Sequence, residues 1–195
     1  MKKSSSIDTA LSYNNTGAVY YYMNDYKKAL EYYNKALLIQ EKILGIEHLD
    51  TATSYNNIGV AYSKMNNYEK SLEFHSKSLS IKEKILDLET LDTARSYNNI
   101  GVVYRCMNNY EKSLEYFRKA LSIKEKILGV DHPDTALSYG SIGITLKKQG
   151  DYNKALEFFN KSLSIRKKIL GDNHLDTVRT QNQINEIKKI ILEMP

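Results

Sequence analysis

The chain has 195 residues, of which 42% are hydrophobic and 26% charged, a composition typical of a soluble folded domain and not of a disordered chain. The net charge of +5 permits acidic partners without requiring them. Cys106 is the only cysteine, which excludes an internal disulfide and fits a reducing compartment. No apolar run follows the basic N-terminus, and no stretch approaches the roughly 18 apolar residues of a membrane span. We therefore expect a cytoplasmic protein that makes no contact with membranes.

Along the chain, the dipeptide Asp-Thr recurs with a period of 42 residues. It divides the sequence into a short N-terminal tail (1–7), four repeats, and a final half repeat that we interpret as a C-terminal capping helix (176–192). The repeats, numbered one to four below, are 8–49, 50–91, 92–133 and 134–175. Repeats two and three are identical at about 29 of 42 positions, so they are copies of one structural unit.

Each repeat is predicted to contain two α-helices, as repeat two illustrates. Asp50 is predicted to be the N-cap of a first helix that ends near Lys64. Residues 65–67 form a turn, and a second helix with apolar residues at helical spacing extends over 68–86. A glycine follows the second helix of the other three repeats, where a left-handed residue favours helix termination. Since no segment alternates polar and apolar residues as a strand does, the chain is predicted to be all-α.

Aromatic residues, a glycine and small residues recur at fixed positions of each helix pair. In repeat three they are Tyr97, Gly101, Ser113, Phe117 and Ala120. This pattern resembles the tetratricopeptide repeat (TPR) signature over nearly the whole chain. The usual repeat has 34 residues and ends its second helix with proline. The 42-residue form, with longer second helices, resembles the kinesin light chain type of TPR. The resemblance implies a right-handed α-solenoid of antiparallel helix pairs, a TPR superhelix, that binds other proteins.

The face of each first helix opposite its apolar stripe is the candidate binding surface, because each helical residue advances about 100° around the axis. The candidate peptide-binding groove comprises Asn14, Asn15, Asn56, Asn57, Val60, Lys64, Arg95, Asn98, Asn99, Val102, Arg105, Ile144, Lys147, Lys148, Arg179 and Asn182. Asparagine is less favourable than alanine in a helix by roughly 0.7 kcal/mol, so its repeated occurrence suggests a function. Amides can bind the backbone of an extended peptide. The kinesin light chain resemblance implies that role for Asn56, Asn57, Asn98 and Asn99. The basic residues favour a partner that offers acidic side chains or a C-terminal carboxylate.

Structural interpretations of the same residues remain open. Asparagines of neighbouring first helices can bond each other, and the apolar residues of the face can pack between repeats. Lys147 and Lys148 also fit ordinary solvated charges. In repeat four, Gly140 and Ser141 replace the asparagine pair, which limits recognition by asparagine to repeats one to three. The alternative function is a structural or self-assembling scaffold, since similar repeats can stack between molecules.

The sequence contains no pattern that indicates catalysis. His48, His132 and His174 occupy one position in three linkers, too far apart to share a metal because each intervening helix needs about 8–10 Å. His75 stands where other repeats have an aromatic residue, so we expect it in the core. We find no Cys/His cluster with metal spacing, no phosphate-binding loop and no nucleophile elbow. We therefore predict no enzyme activity, no metal and no cofactor. Nucleic acid is not an expected partner because the aromatic residues lie on the buried stripe.

Overall fold

The computed structural model describes residues 2–86 and 89–194, and side chains from residue 6 onward. All regular elements in these ranges are α-helices, which confirms the all-α prediction. The helices are α1 (Lys2–Tyr22), α2 (Tyr26–Ile43), α3 (Leu49–Lys64), α4 (Tyr68–Ile85), α5 (Leu91–Cys106), α6 (Tyr110–Leu128), α7 (Pro133–Gln149), α8 (Tyr152–Leu170) and α9 (Leu175–Glu193). The described part of the expected N-terminal tail, residues 2–7, belongs to α1.

The chain divides into two compact units, Met1–Val103 and Tyr104–Pro195, which we call the N-terminal and C-terminal units. In the N-terminal unit, α1 packs against α2 and α3 packs against α4 as antiparallel pairs, with α2 against α3. In the C-terminal unit, α7 pairs with α8, α6 packs against α7, and α8 packs against α9.

Helices α3, α7 and α9 begin earlier than the sequence predicts, because a histidine and not the aspartate is the N-cap. The prediction that Asp50 caps α3 is wrong: the helix begins at Leu49, and Nδ1 of His48 accepts a hydrogen bond of 3.1 Å from the Asp50 backbone N–H. His132 and His174 cap α7 and α9 in the same way. Ser, Thr, Asp and Asn are the usual N-caps, which is why the sequence pattern pointed to the aspartate.

A glycine packed against a ring brings the two helices of a repeat close together. A Cβ on Gly17 would lie 2.6 Å from the ring of Tyr33, and one on Gly143 would lie 3.1 Å from the ring of Phe159. Because such distances leave little or no room for a side chain, glycine permits this packing. In repeat two the ring belongs to His75, which is only 2% exposed, as predicted for a core residue. Its Nδ1 has no hydrogen-bond partner among the described residues.

Helix α9 covers α8 with one face and presents polar side chains on another. Ile184 and Ile187 are buried. Gln181 donates to Asn185 through an Nε2–Oδ1 hydrogen bond of 3.0 Å, and Lys188 is exposed. A helix with this division of side chains supports the interpretation of α9 as a cap.

Candidate functional site

The predicted asparagines of the N-terminal unit fall into two groups. Asn14 donates from Nδ2 to Ser54 Oγ at 2.8 Å, and Asn99 donates from Nδ2 to Asn56 Oδ1 at 2.9 Å. These bonds join neighbouring first helices, so the structural interpretation accounts for the three asparagines involved. A second group makes no side-chain hydrogen bond to any described residue and retains its full bonding capacity: Asn15, Asn57 and Asn98.

The remaining predicted residues of the N-terminal unit contribute apolar surface and positive charge. Val60 and Val102 are half-buried, which fits packing between repeats as well as ligand contact. Lys64 is exposed and has no ion pair with any residue in the described ranges. Arg95 is exposed and forms an ion pair of 3.0 Å with Asp92. Lys64 is therefore the clearest available cation among the predicted residues of this unit.

The second helices also place polar side chains next to these faces. These residues, Gln40 and Lys82 in the N-terminal unit, were not predicted from the sequence. In the N-terminal unit, Ser54 Oγ donates to Gln40 Oε1 at 2.6 Å, and Lys82 Nζ donates to Ser96 Oγ at 3.1 Å. Burial lowers the pKa of Lys82, and the nearby Asp92 carboxylate offsets part of this effect. The predicted groove was derived from the first helices alone, so it did not include basic residues of the second helices.

In the C-terminal unit, two predicted basic residues are occupied by contacts within the protein. Arg105 Nη1 donates to the Ser141 carbonyl at 3.4 Å, and its guanidinium lies 5.3 Å from the centre of the Phe117 ring. Lys147 is 18% exposed and pairs through Nζ with Glu186 Oε2 at 2.6 Å. These contacts favour a structural role for Arg105 and Lys147.

The other predicted residues of the C-terminal unit are accessible. Lys148, Arg179 and Asn182 are exposed, and Ile144 is 36% exposed. Arg179 lies 3.6 Å from the Asp176 carboxylate, at the long end of an ion pair.

Three of these predicted residues, Ile144, Arg179 and Asn182, line a groove of about 610 Å³ in the C-terminal unit. Gly140 and Arg166 also line it. Arg166 comes from α8 and was not predicted, although its equivalents in repeats two and three are also basic. Burial lowers the pKa of the Arg166 guanidinium, and Asp176 offsets part of the effect. The groove therefore combines apolar and cationic groups from different helices.

Antiparallel pairs of helices that repeat along the sequence define the class of α-helical repeat proteins. The sequence profile described as Tetratricopeptide repeat matches residues 8–84, 92–168 and 146–184. The chain therefore belongs to the tetratricopeptide repeat family, whose fold serves protein–protein interaction, and the family predicted from the sequence is confirmed. No match was found among curated proteins. None of the helices in the described ranges has both the length and the hydrophobicity that a membrane span requires.

Similar solved structures include kinesin light chain-like proteins. The nearly identical TPR-like repeats of a candidate kinesin light chain from Podosopora anserina match with a TM-score of 0.80 and 20% identity, over 91% of this chain and 84% of that chain. BtubC (BKLC) from P. vanneervenii matches with a TM-score of 0.80 and 19% identity, over 96% and 81%. The apo form of RapI matches with a TM-score of 0.72 and 29% identity, over 84% and 44%. The first two similarities establish the fold alone.

Proposed function

We propose that the chain is an adaptor that binds an extended, acidic peptide segment of another protein along the faces of its first helices. The observation that carries this proposal is the unequal use of the asparagines. Asn56 and Asn99 bond each other, whereas Asn57 and Asn98 on the same helices keep unpaired amides among the described residues. Each unpaired amide can donate to and accept from a peptide backbone. The proposal includes no catalytic step.

Positive charge supports the acidic character of the partner. Lys64 is available in the N-terminal unit, and Lys148 and Arg179 are exposed in the C-terminal unit. Such exposed charges increase the rate of association and select partners of opposite sign more than they increase affinity. Binding should therefore weaken as salt is added, because the Debye length falls from about 10 Å at 0.1 M to about 3 Å at 1 M ionic strength.

The test begins with selection of twelve-residue peptides from a displayed random library against the full chain. For a selected peptide, we expect the double substitution Asn57→Ala and Asn98→Ala to weaken binding by about 10- to 30-fold, since each lost hydrogen bond contributes about 1 kcal/mol. Fluorescence anisotropy gives the dissociation constants. Circular dichroism should show unchanged helicity because alanine is the better helix former.

The matched control is the double substitution Asn153→Ala and Asn160→Ala, which removes two exposed asparagines of α8. This control should leave affinity unchanged. Equal affinity of wild type and the Asn57/Asn98 variant would remove the asparagines from the site. Failure to select any peptide would contradict the proposed function itself.

A self-assembling scaffold is the second candidate, favoured by apolar side chains on the first helix pair. Leu11 and Val19 of α1 are more than half exposed, and Tyr22 is 83% exposed. A second copy of the chain can cover such a surface. Light scattering over a range of concentrations tests this function. Self-association that disappears in a Leu11→Ser, Val19→Ser variant would support the scaffold, and a monomer at all concentrations would exclude it.

A further inference from the structure

Repeat four lacks the asparagine side chain that takes part in a hydrogen-bonded chain in repeat one. In repeat one, Asn14 donates to Ser54 Oγ, which in turn donates to Gln40. The equivalent positions of repeat four and the capping helix hold Gly140, Thr180 and Arg166. A Cβ on Gly140 would meet only Ser162 Oγ at 3.7 Å and Arg166 Nη2 at 3.9 Å. The missing side chain therefore leaves Arg166 open to the groove of the C-terminal unit.

Arg166 has hydrogen-bonding capacity on this side that no described residue uses. Its Nη1 donates to the Asp176 carbonyl at 2.9 Å and to Thr180 Oγ1 at 2.5 Å. Its Nη2, in contrast, makes no hydrogen bond within the described ranges, and no described carboxylate lies within ion-pair distance of the guanidinium. A partly buried charge is costly unless it is paired, and guanidinium matches the geometry of a carboxylate. The chemistry of this position calls for a carboxylate from outside the chain.

Apolar side chains line the same groove as Arg166. Leu137 and Ile144 of α7 are 49% and 36% exposed, and the buried ring of Phe159 from α8 also contributes to the lining. The volume of about 610 Å³ is within the usual range for ligand sites. A groove of this size accepts a short stretch of peptide with an apolar side chain next to an acidic one.

We propose that this groove, hereafter the Arg166 groove, binds an aspartate or glutamate side chain of a partner segment on the guanidinium, with a flanking aliphatic or aromatic side chain against Leu137 and Ile144. This inference rests on the proposed function and identifies the part of the partner that is recognised in the C-terminal unit. The exposed amide of Asn182 at the groove is placed to bond the backbone of a segment that continues past the site. A segment that continues past the site presents an internal side chain to Arg166, so the proposed occupant is a side chain rather than the terminus of the partner chain.

Two substitutions test the Arg166 groove by restoring residues that other repeats contain. Gly140→Asn fills the open position, and Arg166→Lys keeps the positive charge and a donor toward Thr180 but removes Nη2. Both should fold, since the Cβ of residue 140 has ordinary clearance and lysine occupies the equivalent positions 82 and 124. Arg118→Lys, at an exposed position of α6, is the matched control.

Peptides selected on the full wild-type chain should contain aspartate or glutamate beside leucine, isoleucine or phenylalanine. In fluorescence anisotropy, a selected peptide with an amidated C-terminus should bind each of the two variants about tenfold more weakly or worse. The control should bind within about twofold of wild type. A peptide in which asparagine replaces the aspartate should bind wild type and Arg166→Lys with equal affinity. This peptide has no carboxylate to pair with the guanidinium, so the substitution at position 166 has no interaction left to remove.

Other outcomes overturn the proposal in distinguishable ways. If affinity depends on Asn57 and Asn98 but is unchanged by Gly140→Asn and Arg166→Lys, the proposed function stands and the Arg166 groove is excluded. If amidation of the peptide abolishes binding, the occupant is a chain terminus and the assignment to a side chain is wrong. If selection enriches no peptide, the proposed function and the Arg166 groove both fail.

Discussion

His75 should make the stability of the protein depend on pH. Its ring packs against Gly59, where a Cβ would lie 2.9 Å from Nδ1, and burial lowers its pKa to about 4 with a smaller contribution from the charge of Lys82. The other repeats have aromatic rings at this position: Tyr33, Phe117 and Phe159. The substitution His75→Phe therefore removes the titrating group and retains a ring that the same packing accommodates elsewhere in the chain.

The sign follows from the two pKa values. In the unfolded chain the histidine has a pKa of about 6.5, and in the folded chain about 4, so the unfolded state binds the proton more readily. The free energy of unfolding should fall as the pH drops below 6.5, and the loss should level off below pH 4. The full loss is about 3 kcal/mol, of which about 2 kcal/mol is reached at pH 5. Above about pH 7.5 the residue is almost entirely neutral in both states and contributes little pH dependence.

Urea unfolding at pH 7.5 and pH 5.0 measures this contribution. Between pH 7.5 and pH 5.0, the free energy of unfolding of wild type should fall by about 2 kcal/mol more than that of His75→Phe. Groups that titrate in both proteins contribute equally to both losses, so their contribution drops out of the difference. At pH 7.5 the variant should also be more stable by about 1 kcal/mol, since it no longer buries an unpaired nitrogen. Equal losses in the two proteins would refute the assignment of His75 as a buried, neutral residue.

Two further substitutions test the contacts that position the helices. His132→Ala should lower the free energy of unfolding by about 1 kcal/mol because α7 loses its N-cap, whereas His132→Asn should restore most of it. Equal melting temperatures of the two variants would contradict the cap. Tyr139→Phe removes the hydroxyl that donates to the Glu125 carboxylate and should cost about 1 kcal/mol in urea unfolding. In wild type, burial and Glu125 raise the pKa of Tyr139 to about 12, so ultraviolet titration should show one fewer tyrosine with a pKa near 12 in the variant.

Much of the fold is predictable from the sequence because the repeat itself carries the information. The turn at 65–67 and the second helix of repeat two agree with the structure to within one residue. The N-cap was mispredicted because histidine is not among the usual capping residues, although its recurrence in three linkers was visible. The recurrence of His48 and its equivalents at one linker position is the sequence signal for their structural role.

The candidate site is less predictable, because its chemistry depends on contacts between helices. Helical periodicity places Asn56 and Asn57 on one face. Only the structure shows that Asn56 bonds Asn99, whereas Asn57 has no side-chain partner in the part of the chain that the structure describes. Periodicity likewise assigns Lys147 to the face without showing its ion pair with Glu186. The spacing of residues along one helix shows which face each side chain occupies. The residue to which that side chain bonds depends on the neighbouring helix, which spacing does not describe.

Comparison of equivalent positions explains how similar repeats can have different binding surfaces. The glycine and ring that hold each helix pair together recur because the packing permits little change, as at Gly143 and Phe159. The polar position of the second helix instead changes along the chain, from Gln40 through two lysines to Arg166. Only in repeat four does arginine coincide with the loss of the asparagine side chain, at Gly140. The arginine and the glycine together leave Nη2 of the guanidinium without a hydrogen-bond partner among the described residues, so the proposed Arg166 groove depends on changes within repeat four and not on the shared fold.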